Sequence, residues 1–119
     1  MITEQDLINA GLTAPRVTPA DIEAEIDGEI YFTAAAAATA DGASGIPPLL
    51  DWDEKFEILQ RATFCVLVLR NGFTVTGESA CASPENFNAE LGRKIARQHA
   101  VEKIWPLLGY ELRTKLSGG

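Results

Sequence analysis

The chain has 119 residues, with 10 Lys and Arg against 17 Asp and Glu, a formal net charge of −7 and 46% hydrophobic residues. That length fits a single domain over residues 1–119, and so apolar a composition excludes a disordered acidic tail. No apolar run reaches the roughly 20 residues a bilayer requires, and MITEQDLINAG lacks the basic flank and apolar centre of a signal peptide, so a soluble intracellular domain is expected.

Thr3, followed three residues later by Asp6, opens a short helix over ITEQDLINA that Gly11 stops. Thr18-Pro19-Ala20-Asp21 sets out a cap, an N1 proline and a first-turn acid in order. It predicts a helix from Pro19 to Asp27, ended by Gly28. Glu29 to Thr33 reads as a short strand. The Ala34–Ala38 run is ambiguous: alanine favours helix, but no apolar stripe is present to dock one. DGASGIPPLL predicts a loop near residues 40–48. Asp51 to Arg61 fits one amphipathic turn or a linker helix.

TFCVLVLRNGFTVTGESACA holds two β-rich runs around Asn71-Gly72, a strong hairpin signal. A two-residue turn pairs Arg70 with Phe73, Val68 with Val75, Cys65 with Glu78 and Ala62 with Cys81. In that register Phe64, Val66, Val68, Phe73 and Val75 share one face, and Cys65, Leu67 and Leu69 lie beside Thr74, Thr76 and Glu78. The two cysteines then point to opposite faces, form no disulfide and suit a reducing compartment. The first strand is apolar on both faces, so each needs a cover. The following helix is expected on one side, and the N-terminal half or a second subunit on the other.

Ser83-Pro84-Glu85 predicts the start of a long helix that runs to about Ile104 and is interrupted by Pro106. Phe87, Leu91 and Ile95 form one stripe along it. Gly92, Ala96 and Ala100 form a second stripe of small residues, which invites close approach by another helix, expected from a second copy. Leu107 to Leu116 forms a short amphipathic tail with Tyr110 and Leu112. The fold class is α+β, an antiparallel sheet with a central hairpin packed against a long C-terminal helix.

Charge is distributed unevenly. Residues 1–60 hold 12 acids against Arg16 and Lys55, a net −10, whereas residues 61–119 hold five acids against eight bases, a net +3. The overall field disfavours long nucleic acid, yet a local cationic patch suits a small phosphate-bearing ligand. Catalytic apparatus is thin. Gly77-Glu78-Ser79-Ala80-Cys81 lacks the second glycine of a nucleophile elbow and lies in a predicted strand. Cys81 and His99 read as structural residues rather than a nucleophile and its base. One histidine and two separated cysteines make no zinc site, and Asp51-x-Asp53-Glu54 lacks calcium-loop spacing. No enzyme activity, metal or cofactor is expected.

The basic helix carries the ligand chemistry. Arg93 and Arg97 are four apart, and each guanidinium can grip phosphate through two parallel hydrogen bonds. Lys103 adds a further charge, Ser79 and Asn86 supply neutral partners near the helix start, and Phe73 at the hairpin tip can stack on a base. The same residues also fit a solvated face, with Glu90 pairing Arg93 or Lys94 and Phe73 closing the core.

NGFTVTGESACASPENF, ELGRKIARQHA and EKIWPLLGY resemble the C-terminal signature of a small family of tailed-phage proteins encoded by unassigned early genes. TAPRVTPADIEAEI and YFTA resemble its N-terminal part. The likeness spans roughly residues 12–33 and 63–112, leaving a variable insert at about 34–60. The family includes a Thoeris anti-defence sponge. The resemblance implies sequestration, without cleavage, of cyclic ADP-ribose isomers made by TIR-domain enzymes, and for some members of cyclic oligonucleotides. It also implies a homo-oligomer built from dimers in the host cytoplasm, bound to neither nucleic acid nor membrane. The alternative is an acidic phage protein that inhibits a host protein by direct binding through its N-terminal acids.

Overall fold

Two threonine capping boxes begin the computed structural model, which describes residues 2–11, 14–45 and 52–119. Thr3 and Asp6 exchange side-chain and backbone hydrogen bonds to start α1 (Glu4–Asn9), and Thr18 and Asp21 do the same for α2 (Pro19–Glu25). Each box satisfies two backbone donors that a helix start otherwise leaves open. Helix α2 ends two residues short of the predicted Asp27, because β1 (Ile26–Thr33) begins there rather than at Glu29. Pairing of Ile26 with Leu69, across an irregularity before Gly28, pulls those residues into the sheet. The alanine run is a helix, α3 (Ala34–Ala38), capped by the Thr33 side chain and docked through buried Ala35. Residues 46–48 of the predicted loop and Asp51 lie outside the described residues, and α4 spans Trp52–Leu59.

Strands β2 (Ala62–Leu69) and β3 (Thr74–Ala80) form the predicted hairpin, and with β1 they make an antiparallel sheet of order β1-β2-β3. The expected register is wrong by one residue: Val68 pairs with Thr74, Cys65 with Gly77 and Ala62 with Ala80. The turn is the reason. Gly72 N donates to Leu69 O at 2.8 Å and Leu69 N donates to Phe73 O at 2.8 Å, leaving a three-residue loop with Gly72 at φ +88°. Asn-Gly serves this bulged loop as well as the two-residue turn. Alanine at a left-handed position costs about 1–2 kcal/mol. Gly72→Ala is therefore expected to lower the unfolding free energy by about 1 kcal/mol, and an unchanged urea midpoint would refute that assignment of the turn.

The slip redistributes the faces. Val75 joins Cys65, Leu67 and Leu69 on the inner face, all buried. Phe64, Val66 and Val68 share the outer face with Thr74, Thr76 and Glu78. Nor do the cysteines point to opposite faces. Cys81 lies four positions beyond the Cys65 partner Gly77 on the same side, roughly 13 Å along the strand. Both thiols are free, and that separation is well beyond disulfide reach.

The small-residue stripe packs on the sheet, not on a second helix. Ala96 and Ala100 are fully buried, and a Cβ added at Gly77 would fall inside the contact shells of Ala96 O and Ala100 N. Glycine on β3 thus lets α5 (Ala89–Glu102) lie directly on the strand. Ile22, Leu67 and Ile104 complete the core. Of the other predicted stripe, Leu91 is exposed and Phe87 and Ile95 are half-buried. Helix α5 starts five residues later than expected. Pro84–Asn86 forms a single 3₁₀ turn, the Ser83 hydroxyl donates to Glu85 instead of capping, and Asn88 accepts from Leu91 N at 3.0 Å. The break imposed by Pro106 falls at Lys103, since proline tolerates the first turn of the next helix, α6 (Ile104–Leu116). The fold class is α+β, with α5 and α6 against a three-stranded antiparallel sheet.

Candidate functional site

The predicted site residues fall in three places. Phe73, carried by the three-residue loop, is 55% exposed and does not close the core. It faces a cleft of about 550 Å³ between the hairpin tip and α6. Leu69, Leu107 and Leu108 form apolar walls, and Tyr110, 79% exposed, presents a second ring. Asn71, Glu111, Thr114 and Lys115 supply the polar edge. Helical spacing puts Leu107, Tyr110, Glu111 and Thr114 on one side of α6. A hollow of about 280 Å³ continues toward α2, sharing Leu108, Glu111 and Lys115 and adding Arg16, Asp21 and Arg70.

This edge is charged but balanced. Arg70 pairs with Glu25 at 2.9 Å, Lys115 with Glu111 at 3.6 Å, and Arg16 with Glu4. The Arg70 and Lys115 side chains remain 63% and 72% exposed. Exposed pairs of this kind contribute about 0–1 kcal/mol, so exchanging either carboxylate for a ligand phosphate costs little. An aromatic, half-apolar cleft of several hundred cubic ångströms with a few convergent polar groups is the usual form of a small-molecule site.

Ser79 and Asn86 come together elsewhere, in a pocket of about 150 Å³ with Arg61, Phe87, Leu91 and Ile95. The Ser79 hydroxyl donates to Gly92 O at 2.8 Å, and Arg61 Nε donates to Cys81 O at 3.1 Å. Ser79 lies six positions after Phe73 along the hairpin, roughly 20 Å of extended chain. One small molecule does not touch both.

Arg97 occupies a third position. Its two terminal nitrogens grip Glu23 of α2 at 3.1 and 2.8 Å, and its Nε donates to Glu29 of β1 at 2.9 Å. Hydrogen bonding from Arg97 holds the Glu23 carboxyl below its ordinary range, and the two carboxylates push the guanidinium further up. Beside them Tyr31 donates to Glu29 at 3.3 Å, and burial first, then neighbouring negative charge, pushes its phenol up to about 12. Burial likewise raises the Cys65 thiol. Arg93 and Lys103 are exposed and make no ion pair among the described residues; Glu90 pairs with Lys94 at 3.6 Å.

Cys81 donates to Ser83 O at 3.0 Å, and the His99 ring meets Glu78 O at 2.7 Å, so each has a backbone partner rather than the other. Among the described residues no three His, Cys, Asp or Glu side chains gather to hold a metal, and no helix is long and apolar enough to cross a membrane.

The described residues thus form an α+β chain, three antiparallel strands under two helices, with an open aromatic cleft beside the hairpin tip. Residues 17–116 match the Phage protein (N4 Gp49/phage Sf6 gene 66) family, and the chain belongs to that family. No curated protein and no solved structure matches it.

Tyr110, Leu107, Arg70 and Lys115 were missed as site residues. The spacing of Leu107, Tyr110 and Glu111 was visible in the sequence, but nothing there placed α6 against the hairpin tip.

Proposed function

We propose that this phage protein captures cyclic nucleotide immune signals and holds them without cleaving them. The expected ligands are cyclic ADP-ribose isomers and cyclic oligonucleotides. The protein works as a homo-oligomer in the host cytoplasm, needs no cofactor, and counters Thoeris-type defence by stoichiometric removal of the signal. The cleft between the hairpin tip and α6 carries this reading. Phe73 and Tyr110 offer rings for a base, and Arg70 and Lys115 stand at its edge for phosphates. The family resemblance supplies the ligand class. The alternative, inhibition of a host protein through the acidic half, is weakened because Glu23, Glu25 and Glu29 are already engaged by Arg97 and Arg70.

Ligand at about 100-fold over its dissociation constant stabilises a binder by about 2.7 kcal/mol, roughly 8–14 °C in melting temperature for this size. Thermal unfolding with a panel of cyclic ADP-ribose isomers and cyclic di- and trinucleotides should give such a shift with at least one. Phe73→Ala and Tyr110→Ala should abolish it, with the ligand recovered intact by chromatography. Absence of any shift, or recovery of a cleaved ligand, defeats the proposal.

A further inference from the structure

The polar edge of the candidate cleft divides into a donor side and an acceptor side. On the hairpin loop, Phe73 N donates to Asn71 Oδ1 at 2.9 Å. That bond settles which end of the amide is oxygen. It leaves the Nδ2 amino group, without a partner among the described residues, as a double donor for the cleft that Asn71 lines. On α6, Glu111 is 60% exposed and lies 3.6 Å from Lys115, a charge contact too long for a hydrogen bond. The Thr114 hydroxyl donates to Tyr110 O at 3.1 Å, so its oxygen has only acceptor capacity left.

We propose that this cleft selects guanine over adenine, with Glu111 accepting from the guanine N1–H and N2–H groups and Asn71 Nδ2 donating to O6. The proposal rests on the capture reading above and narrows its ligand class to guanine-bearing cyclic nucleotides. Charge supplies the first argument. Once Lys115 turns to a ligand phosphate, Glu111 faces an anion without its cation, and the ligand itself has to bring N–H donors to the carboxylate. Complementarity supplies the second. The pairing edge of guanine runs acceptor, donor, donor, and the cleft answers with donor, acceptor, acceptor. In the same pose adenine meets Asn71 donor to donor and Glu111 acceptor to acceptor. A site built to hydrogen-bond one base rejects another that leaves its polar groups unpaired. Stacking on Phe73 and Tyr110 is available to either base, so the choice falls to Asn71 and Glu111.

Isothermal titration of the full chain with cyclic di-GMP, cyclic di-IMP and cyclic di-AMP is the test, because these ligands share one phosphate-ribose ring and differ only in the base. Cyclic di-GMP should bind about tenfold or more tighter than cyclic di-AMP. Cyclic di-IMP, which keeps O6 and N1–H but lacks the N2 amino group, should fall between them. Glu111→Gln alters the charge beside Lys115 for all three ligands alike, so the affinity ratio is the readout. Glutamine replaces one acceptor oxygen with a donor, and the guanine preference should fall by about tenfold. Asn71→Asp keeps an oxygen for Phe73 N and should keep the wild-type melting temperature, yet weaken cyclic di-GMP most. Equal binding of the three ligands, the result expected if Glu111 held ribose hydroxyls, overturns the base selection, as does an unchanged ratio in Glu111→Gln. Binding of cyclic ADP-ribose isomers but of no dinucleotide also overturns it and leaves capture standing. A chain that binds no cyclic nucleotide at all overturns both.

Discussion

Gly77→Ala is expected to destabilise the protein by about 3 kcal/mol or more, a fall of roughly 10–18 °C in melting temperature. The added Cβ would collide with the Ala96 carbonyl and the Ala100 amide and stand 3.0 Å from the Ala100 Cα. All are backbone atoms of α5, so no side-chain rotation relieves the clash. The helix has to lift from β3, and the fully buried Ala96 and Ala100 lose their fit with it. Gly109→Ala is the control. A Cβ there meets nothing within 4 Å, and Gly109 lies inside α6, where alanine is favoured by about 0.8–1 kcal/mol. One glycine-to-alanine change should thus cost most of the stability and the other add to it. Thermal unfolding of both variants decides the matter, and a Gly77→Ala protein melting within a few degrees of wild type would mean that α5 stands off the strand.

The same glycine shows where sequence reading succeeded and where it failed. Strand runs, the Asn71-Gly72 turn and the stripe Gly92, Ala96, Ala100 were all visible in the sequence, because each is a local pattern. Their mates were not. Asn-Gly supports a two-residue turn and a bulged three-residue loop alike, and choosing the first moved every β3 side chain to the wrong face. With Gly77 misplaced, the small stripe lacked a partner in this chain, and a second copy was invoked to supply one. Likewise Ser83-Pro84 and Asn88 both offer helix starts, and only the hydrogen bond from Leu91 N to Asn88 selects the latter. At the candidate site Phe73 was legible as a tip residue of a hairpin. Tyr110, 37 positions later, was not, since its place depends on how α6 folds back over the sheet. Arg97 read as a phosphate ligand because sequence displays charge; its carboxylates lie 68 and 74 residues away along the chain.

Arg97→Ala is accordingly expected to loosen the fold, not merely to remove a ligand contact. Arg97 joins α5 to both α2 and β1, with a bidentate grip on Glu23 and a third bond to Glu29. Its side chain is 30% exposed, and those of Glu23 and Glu29 are 58% and 40%. Solvent screening keeps the network to about 1–2 kcal/mol, above an isolated surface pair because the geometry is bidentate and three charges share it. That is roughly 3–10 °C in melting temperature. The effect has a pH signature. Glu23 is held below its ordinary value of 4.5, chiefly by the hydrogen bond from Arg97. A carboxyl depressed in the folded state contributes stability above its unfolded value and loses it as pH falls through the folded one. The gap between wild type and Arg97→Ala should be full at about pH 7 and close as pH drops below about 4. A gap unchanged at low pH would assign the loss to the packed aliphatic stem of Arg97 instead of its charge. Arg93→Ala removes an exposed guanidinium with no ion pair among the described residues and should leave stability within about 0.5 kcal/mol. Any effect of Arg93→Ala on nucleotide capture therefore reports on the ligand alone, whereas an effect of Arg97→Ala has to be corrected for a shifted α2 before it says anything about binding.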